Sequence, residues 1–135
     1  MRRGMAMDGA GMKPAAFDEA AAIDLIKLSD ILGESDPVDM REHLDLFFAH
    51  FPALIARLDA AFAAVDEAEI ATVAHTAMGA AGMAAAIRLR SVLMRIEIAA
   101  RAGEALDAAS EMSLVRSEYA GVQAFVANGG LESSR

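Results

Sequence analysis

Apolar residues recur every three or four positions along most of this chain, and that spacing is typical of α-helices with one buried face. The longest unbroken series lies near the carboxyl terminus and comprises Ala105, Ala108, Met112, Val115, Tyr119, Val122 and Val126. Alanine, the strongest helix former, supplies 32 of the 135 residues, whereas the chain has no Trp and a single Tyr. Strand-forming residues are therefore scarce, and the sequence predicts an all-α protein.

Caps and breakers divide this pattern into five predicted helices. The first carries the series Phe17, Ala21, Leu25, Leu28 and Leu32 and ends at Gly33. The second begins at the Asp36-Pro37 pair, because Asp is a preferred N-cap and Pro fits the first helical position. It extends to about Ala64, and Pro52 predicts a bend within one continuous helix.

The other three helices follow in the same way. Asp66 caps the third, whose predicted buried face contains Ile70, Val73, Ala74, Ala77 and Ala81. The chain is expected to turn within residues 84–88, although no strong breaker lies there. The fourth helix stops at Gly103, and the fifth ends at Asn128-Gly129-Gly130. Short connections between amphipathic helices favour antiparallel neighbours. We therefore expect an antiparallel up-down four-helix bundle of the second to fifth helices, with an additional short N-terminal helix packed across one end.

This arrangement predicts one domain with two short ends. Residues 16–129 would form the bundle, residues 1–15 a flexible N-terminal tail and residues 130–135 a C-terminal tail. The initial segment has basic residues but no apolar core of the kind that a signal peptide requires. The longest stretch without Asp, Glu, Lys or Arg, residues 70–87, is rich in alanine and too weakly apolar to span a bilayer. A cytoplasmic protein is expected.

The charge balance narrows the possible partners. Acidic residues outnumber basic ones 20 to 12, which gives a formal net charge of −8. Such a surface repels phosphate backbones and anionic lipid, so we expect neither nucleic acid nor a membrane as a partner. The absence of cysteine excludes a thiolate metal site and a cysteine nucleophile. Within this acidic chain the fourth predicted helix is a local basic strip, because four arginines lie there beside Glu97 alone.

His75 is the residue whose position is most informative. At about 100° per residue, it shares one side of the third helix with Thr72, Gly79 and Gly82, whereas the apolar residues lie on the opposite side. His75 should therefore face outward. A glycine inside a helix costs about 0.8–1 kcal/mol relative to alanine. Two glycines beside His75 indicate either close approach of another molecule or close packing against a neighbouring helix.

The segment AHTAMGAAGMAAAIRL, followed by IEIAARAG, resembles the histidine-containing phosphotransfer (HPt) domain family. The motif of that family is His-x-x-Lys-Gly in the middle of a bundle helix, and the next helix usually ends in a Leu-Glu-x-x-x-Arg-x-Gly pattern. The matching positions here are His75, Gly79, Glu97, Arg101 and Gly103. Upstream, DPVDMREHLDLFFAHFPALIARLDAAF is similar to the long helix of the family with its internal proline, so the resemblance covers about residues 20–127.

The resemblance implies a function. HPt domains relay a phosphoryl group between aspartates of response-regulator receiver domains, and they also accept it from the receiver domain of a hybrid histidine kinase. The resemblance implies that His75 accepts the phosphoryl group on Nε2 and that Thr72, Met78, Gly79 and Gly82 surround this histidine. The receiver would supply Mg²⁺, so the chain itself would need no metal, no other cofactor and no ATP site. It would act as a phosphohistidine carrier in a phosphorelay.

One position departs from the motif. Met78 stands where the family usually has Lys, and a thioether can neither hold phosphoryl oxygens nor supply positive charge. Transfer would then be unaffected, or slower with a shorter-lived phosphohistidine, or replaced by binding alone. The candidate substitutes for the missing lysine are the arginines of the fourth helix. The alternative function is thus a non-phosphorylated module that binds and sequesters a receiver domain or kinase, and a third is a bundle with unrelated partners.

The other histidines carry a weaker signal. His43 and His50 lie seven residues apart on one helix, about 10 Å along its axis, and no carboxylate completes a metal site around either. They are interpreted as ordinary surface residues. Met78 and Met83 near His75 would form either an apolar docking patch or part of the core.

Overall fold

A computed structural model of the chain describes residues 21–33 and 36–134. Within these residues the protein is all-helical, which confirms the predicted all-α class. The α-helices are α1 (Leu25–Leu32), α2 (Pro37–Ala63), α3 (Glu67–Met83), α4 (Ile87–Arg101) and α5 (Ala108–Ala127), followed by a 3₁₀-helix over Gly130–Ser134. α2 continues through Pro52 without a break, as the uninterrupted apolar spacing predicts.

Side-chain caps begin α2 and α3 where the sequence predicts them. Asp36 accepts a hydrogen bond from the backbone N–H of Val38, and Asp66 accepts one from that of Glu69. Gly33 ends α1 in the left-handed conformation, with φ 80°. Each of these signals depends on neighbours within four residues along the chain, so a sequence is enough to reveal them.

Two helices begin later than predicted. Ala21 lies in a bend, and α1 starts only after Asp24, whose carboxylate caps Lys27 and whose N–H donates to Ala85 O across the fold. This long-range bond anchors the chain ahead of α1. Phe17 lies outside the described residues. α5 likewise begins after Asp107, which caps Ser110, so the apolar series before residue 108 belongs to the connecting segment.

The carboxyl-terminal segment, for which the sequence predicts a tail, packs against the helices. Residues 130–134 form a 3₁₀-helix that contacts α2 and α5, and Leu131 is fully buried. Burial of one large apolar side chain stabilises the position of a segment that otherwise consists of one glycine, one glutamate and two serines.

The core lies among α2, α3, α4 and α5. α3 packs against both α2 and α4, and α5 also packs against those two helices, while α1 contacts α2. Phe47, Phe51 and Tyr119 join α2 to α5 through ring contacts, with the Phe51 and Tyr119 centroids 5.0 Å apart. Phe47 and Phe51 are buried and therefore part of the core.

α2 is the one helix in the described part of the chain that is long and apolar enough to cross a membrane by length and composition. A helix in the core of a water-soluble protein passes the same test. Seven residues of α2 are buried within the fold, among them Met40, Leu44 and Phe51.

The connection between α3 and α4 is made of three buried alanines, Ala84, Ala85 and Ala86. Ala85 has φ 55°, a left-handed conformation that costs an L-residue roughly 1–2 kcal/mol. Its N–H donates to Gly82 O, and that of Ala86 donates to Ala81 O. Small side chains allow this turn to be buried, which explains why no glycine or proline marks it in the sequence.

Candidate functional site

His75 lies in the middle of α3, and its side chain is 63% exposed. The opposite side of the helix carries Val73, Ala77 and Ala81, all of which are at most 1% exposed. The helical spacing thus forces His75 outward, as predicted. A rigid, well-packed helix holds an imidazole at the surface.

One nitrogen of the His75 ring is occupied. Nδ1 lies 3.1 Å from Oε2 and 3.2 Å from Oε1 of Glu97 on α4. An ionised carboxylate can only accept hydrogen bonds, so Nδ1 carries the proton and donates. In the neutral ring the lone pair then lies on Nε2. Among the residues that the structure describes, nothing hydrogen-bonds to Nε2.

Arg101 completes this cluster from the next turn of α4. Its Nε and Nη2 each lie 2.8 Å from Oε2 of Glu97, the same oxygen that faces His75. Burial of the carboxylate by itself raises the pKa of Glu97, but the hydrogen bonds from Arg101 and His75 outweigh it and bring the pKa below its usual value. Glu97 therefore remains an anion that holds the ring on one side and the guanidinium on the other.

The two glycines beside His75 differ in their surroundings. A Cβ added at Gly79 would meet nothing within 4 Å, so packing within the fold does not require glycine there. A Cβ at Gly82 would lie 3.5 Å from Cδ and Nε of Arg90, so that side chain covers Gly82. Thr72 is exposed on the same side of α3. The open surface around His75 is therefore formed by Thr72 and Gly79.

Met78 is half-buried and packs against the core. Hence it contributes no polar group beside His75. Each arginine of α4 has a distinct neighbour: Arg88 pairs with Glu118, Arg90 covers Gly82, Arg95 pairs with Glu111 and Arg101 pairs with Glu97. Of these four, Arg101 is the one that shares a carboxylate oxygen with His75.

A groove between α2 and α3 was missed by the sequence reasoning. Its volume is about 210 Å³, and its lining is His43, Leu46, Phe47, His50, Phe51, Ala80, Met83 and Ala84. Leu46 and Met83 are 63% and 55% exposed. His43 is half-buried, and its Nε2 lies 2.7 Å from Met83 O, so it bonds to the end of α3 rather than lying free at the surface. The seven-residue spacing of His43 and His50 was the available signal, because it places both on one face of α2 with Leu46 and Phe47.

Comparison with protein families matches residues 42–125 to the Hpt domain. The matched segment covers more than half of the 135 residues and contains the whole of α3 and α4. The chain therefore belongs to the Hpt domain family, which functions in two-component phosphotransfer. No curated protein and no solved structure matches the chain.

Proposed function

We propose that this Hpt domain is a histidine phosphotransfer protein in which His75 accepts a phosphoryl group from a receiver-domain aspartate and passes it to another. The observation that carries the proposal is the exposed imidazole whose Nδ1 is held by Glu97, which leaves Nε2 as the free nucleophile. A hybrid histidine kinase that carries such a receiver domain is a further proposed partner.

The proposed step is an in-line displacement. The Nε2 lone pair attacks phosphorus, and the N–P bond forms as the bond from phosphorus to the aspartyl oxygen breaks, which returns the carboxylate to the receiver. The product carries phosphorus on Nε2 and a proton on Nδ1, so its ring is cationic. Glu97 faces that ring at hydrogen-bond distance and stabilises the charge, and the reverse step regenerates the neutral imidazole.

The proposed docking surface is the outer side of α2 and α3. Gly79 leaves open space one turn from His75, so a partner can approach the ring closely. Leu46 and Met83 beside the groove supply exposed apolar contact area. Of the two explanations offered for the glycines beside His75, these features support close approach of another molecule at Gly79.

The proposed architecture is an antiparallel up-down bundle of α2 to α5 with α1 as the additional N-terminal helix. Two contacts support opposite directions for α3 and α4: residue 75 faces residue 97, and residue 82 faces residue 90. The three-residue connections at 64–66 and 84–86 favour the same arrangement for α2 to α4. The N-terminal domain boundary predicted at residue 16 stays part of this proposal, whereas the contacts of the 3₁₀-helix over Gly130–Ser134 support a domain that extends through that helix.

A second candidate function rests on Met78. The side chain at this position is apolar and half-buried, and the motif lysine is absent, so binding without transfer is the alternative. In that case the protein would sequester a receiver domain or a kinase. Arg101 is the candidate substitute for the lysine, because it already lies in the cluster with Glu97 and His75.

The deciding experiment incubates the protein with ³²P-labelled, phosphorylated receiver domains. We expect acid-labile, alkali-stable label on the wild-type chain and none on His75→Gln, which should fold normally because this side chain is mostly exposed. Circular dichroism checks that fold. Receiver binding without label would establish the sequestering function, and equal label on His75→Gln would show that another residue is the acceptor.

A further inference from the structure

The groove between α2 and α3 lies next to the point where the N-terminal chain joins the fold. Asp24 N–H donates to Ala85 O, and Ile23 just before it is buried. Met83 and Ala84, which come directly before Ala85, line one end of the groove. The first twenty residues lie outside the part of the chain that the structure describes. They therefore connect to the fold beside this end of the groove.

Residues 1–16, here called the N-terminal segment, have a composition that suits an apolar groove. They include four methionines, at positions 1, 5, 7 and 12. Methionine is unbranched and polarisable, so it adapts to irregular apolar surfaces. The segment also has three basic residues, Arg2, Arg3 and Lys13, against the single acid Asp8, which is a net side-chain charge of +2.

The charges beside the groove have the opposite sign. Asp39 precedes His43 by four residues and Glu42 precedes Leu46 by four, so each lies one turn before a groove residue on the same side of α2. Neither carboxylate forms an ion pair with residues 21–33 or 36–134. Arg41, the one basic residue in positions 37–50, lies about 160° around the helix from His43. The negative charge at this end of the groove is therefore not cancelled.

We propose that the N-terminal segment of the same chain occupies the groove, with its methionines on the exposed side chains of Leu46 and Met83 and its basic residues beside Asp39 and Glu42. The length of the chain allows this, because eight extended residues span about 26 Å and the groove extends about 12 Å along α2. Binding within one chain is also favoured by an effective concentration of about a millimolar for a short tether. A weak contact is therefore enough to fill the groove.

The consequence for signalling rests on the proposed function. Ala80 lines the groove and is the neighbour of Gly79, so the groove belongs to the surface proposed for the receiver domain. A segment in the groove competes with the receiver, whereas His75 itself stays uncovered. The N-terminal segment should thus lower the affinity for the receiver and leave the rate constant of transfer at saturation unchanged.

A spin label on the full-length, isotope-labelled protein tests the contact without any receiver. The chain has no cysteine, so Ala10→Cys provides a single site for a nitroxide. We expect amide signals to broaden over residues 39–51 and 80–84 and to stay sharp over residues 91–99 of α4. Reversal of the three basic charges, by Arg2→Glu, Arg3→Glu and Lys13→Glu in the labelled protein, should remove the broadening because like charges then meet at the groove.

Three results of this experiment would overturn the proposal. The first is broadening that is absent from the groove or equal over the groove and residues 91–99. The second is broadening at the groove that persists after the charge reversal. The third is broadening that disappears when labelled protein is diluted with unlabelled protein lacking the isotope-labelled partner's nitroxide, which would assign the groove to a second copy of the chain.

Receiver titration tests the competition. A groove occupied in one half to nine-tenths of the molecules raises the apparent Kd about two- to tenfold. The full-length variant with Met5→Asp and Met7→Asp should therefore bind the receiver about two- to tenfold more tightly than the wild type, and the matched variant with Met5→Leu and Met7→Leu should not. Equal affinity of the aspartate variant and the wild type would refute the competition. Absence of label on His75 would refute the phosphotransfer proposal alone, because the spin-label experiment does not depend on transfer.

Discussion

Replacing Glu97 by alanine should slow phosphoryl transfer to His75 without unfolding the protein. The substitution removes the acceptor of the Nδ1 proton and lets the neutral ring exchange that proton between its two nitrogens. Hydrogen bonds to charged groups contribute about 1.5–3 kcal/mol. Because the His75 side chain is 63% exposed, solvent screening reduces this to roughly 0.2–1 kcal/mol. Since about 1.4 kcal/mol is a factor of ten, the rate constant should fall about 1.4- to fivefold.

The assay measures single-turnover transfer from a phosphorylated receiver domain that is present in excess. The dependence of the observed rate on receiver concentration gives the rate constant at saturation and the apparent affinity separately. The lower rate should appear in the rate constant at saturation, because Glu97 contacts the ring rather than the open surface at Gly79. Glu97→Gln is the matched variant: its amide oxygen can still accept from Nδ1 but carries no charge, so it should recover part of the lost rate. Glu104→Ala, at an exposed carboxylate beyond α4, controls for net charge. A saturating rate constant for Glu97→Ala equal to that of the wild type would refute the assigned role of Glu97.

Three further predictions concern His75 and its surroundings. Gly79→Ala should stabilise the protein by about 0.8–1 kcal/mol in urea unfolding, since its Cβ meets nothing, whereas Gly79→Leu should weaken receiver binding and leave the helical circular dichroism intact. Met78→Lys should speed transfer or prolong the lifetime of the phosphohistidine, and no change in either would mean that position 78 is not used in this chain. The lowered pKa of Glu97 means that its stabilising contribution is present above the usual value of 4.5 and is lost as pH falls through the lower folded-state value. The free energies of urea unfolding of the wild type and Glu97→Gln should accordingly differ more at pH 5 than at pH 3. A difference that is the same at both pH values would contradict this assignment.

The features that the sequence predicts correctly are those with a local cause. Asp36, Asp66 and Gly33 mark helix ends through bonds to residues at most four positions away. The buried face of α3 follows from helical spacing alone, and so does the exposure of His75 on the other side. Both are properties of a single helix, and neither requires knowledge of its neighbours.

Features that depend on two helices could not be predicted in this way. Val65 connects α2 to α3 with φ 51° although it is β-branched and 80% exposed, so neither its propensity nor its polarity marks a turn. The bond from Asp24 N–H to Ala85 O, which anchors the chain ahead of α1, joins segments about sixty residues apart. The groove beside Met83 and the cover that Arg90 places over Gly82 likewise arise only when neighbouring helices meet.

The chemistry proposed for His75 depends on the register between α3 and α4, and that register is set by the buried turn that joins them. Glu97 can reach Nδ1 only because residue 97 lies beside residue 75, and Arg90 lies beside Gly82 for the same reason. Ala84, Ala85 and Ala86 fit between the helix ends because they are small. The left-handed conformation of Ala85 is strained, and it allows a short turn of fixed length. A longer or looser turn would let α4 slide along α3 and separate the carboxylate from the imidazole. The alanines, which bear no functional group, therefore determine which nitrogen of His75 is free to react.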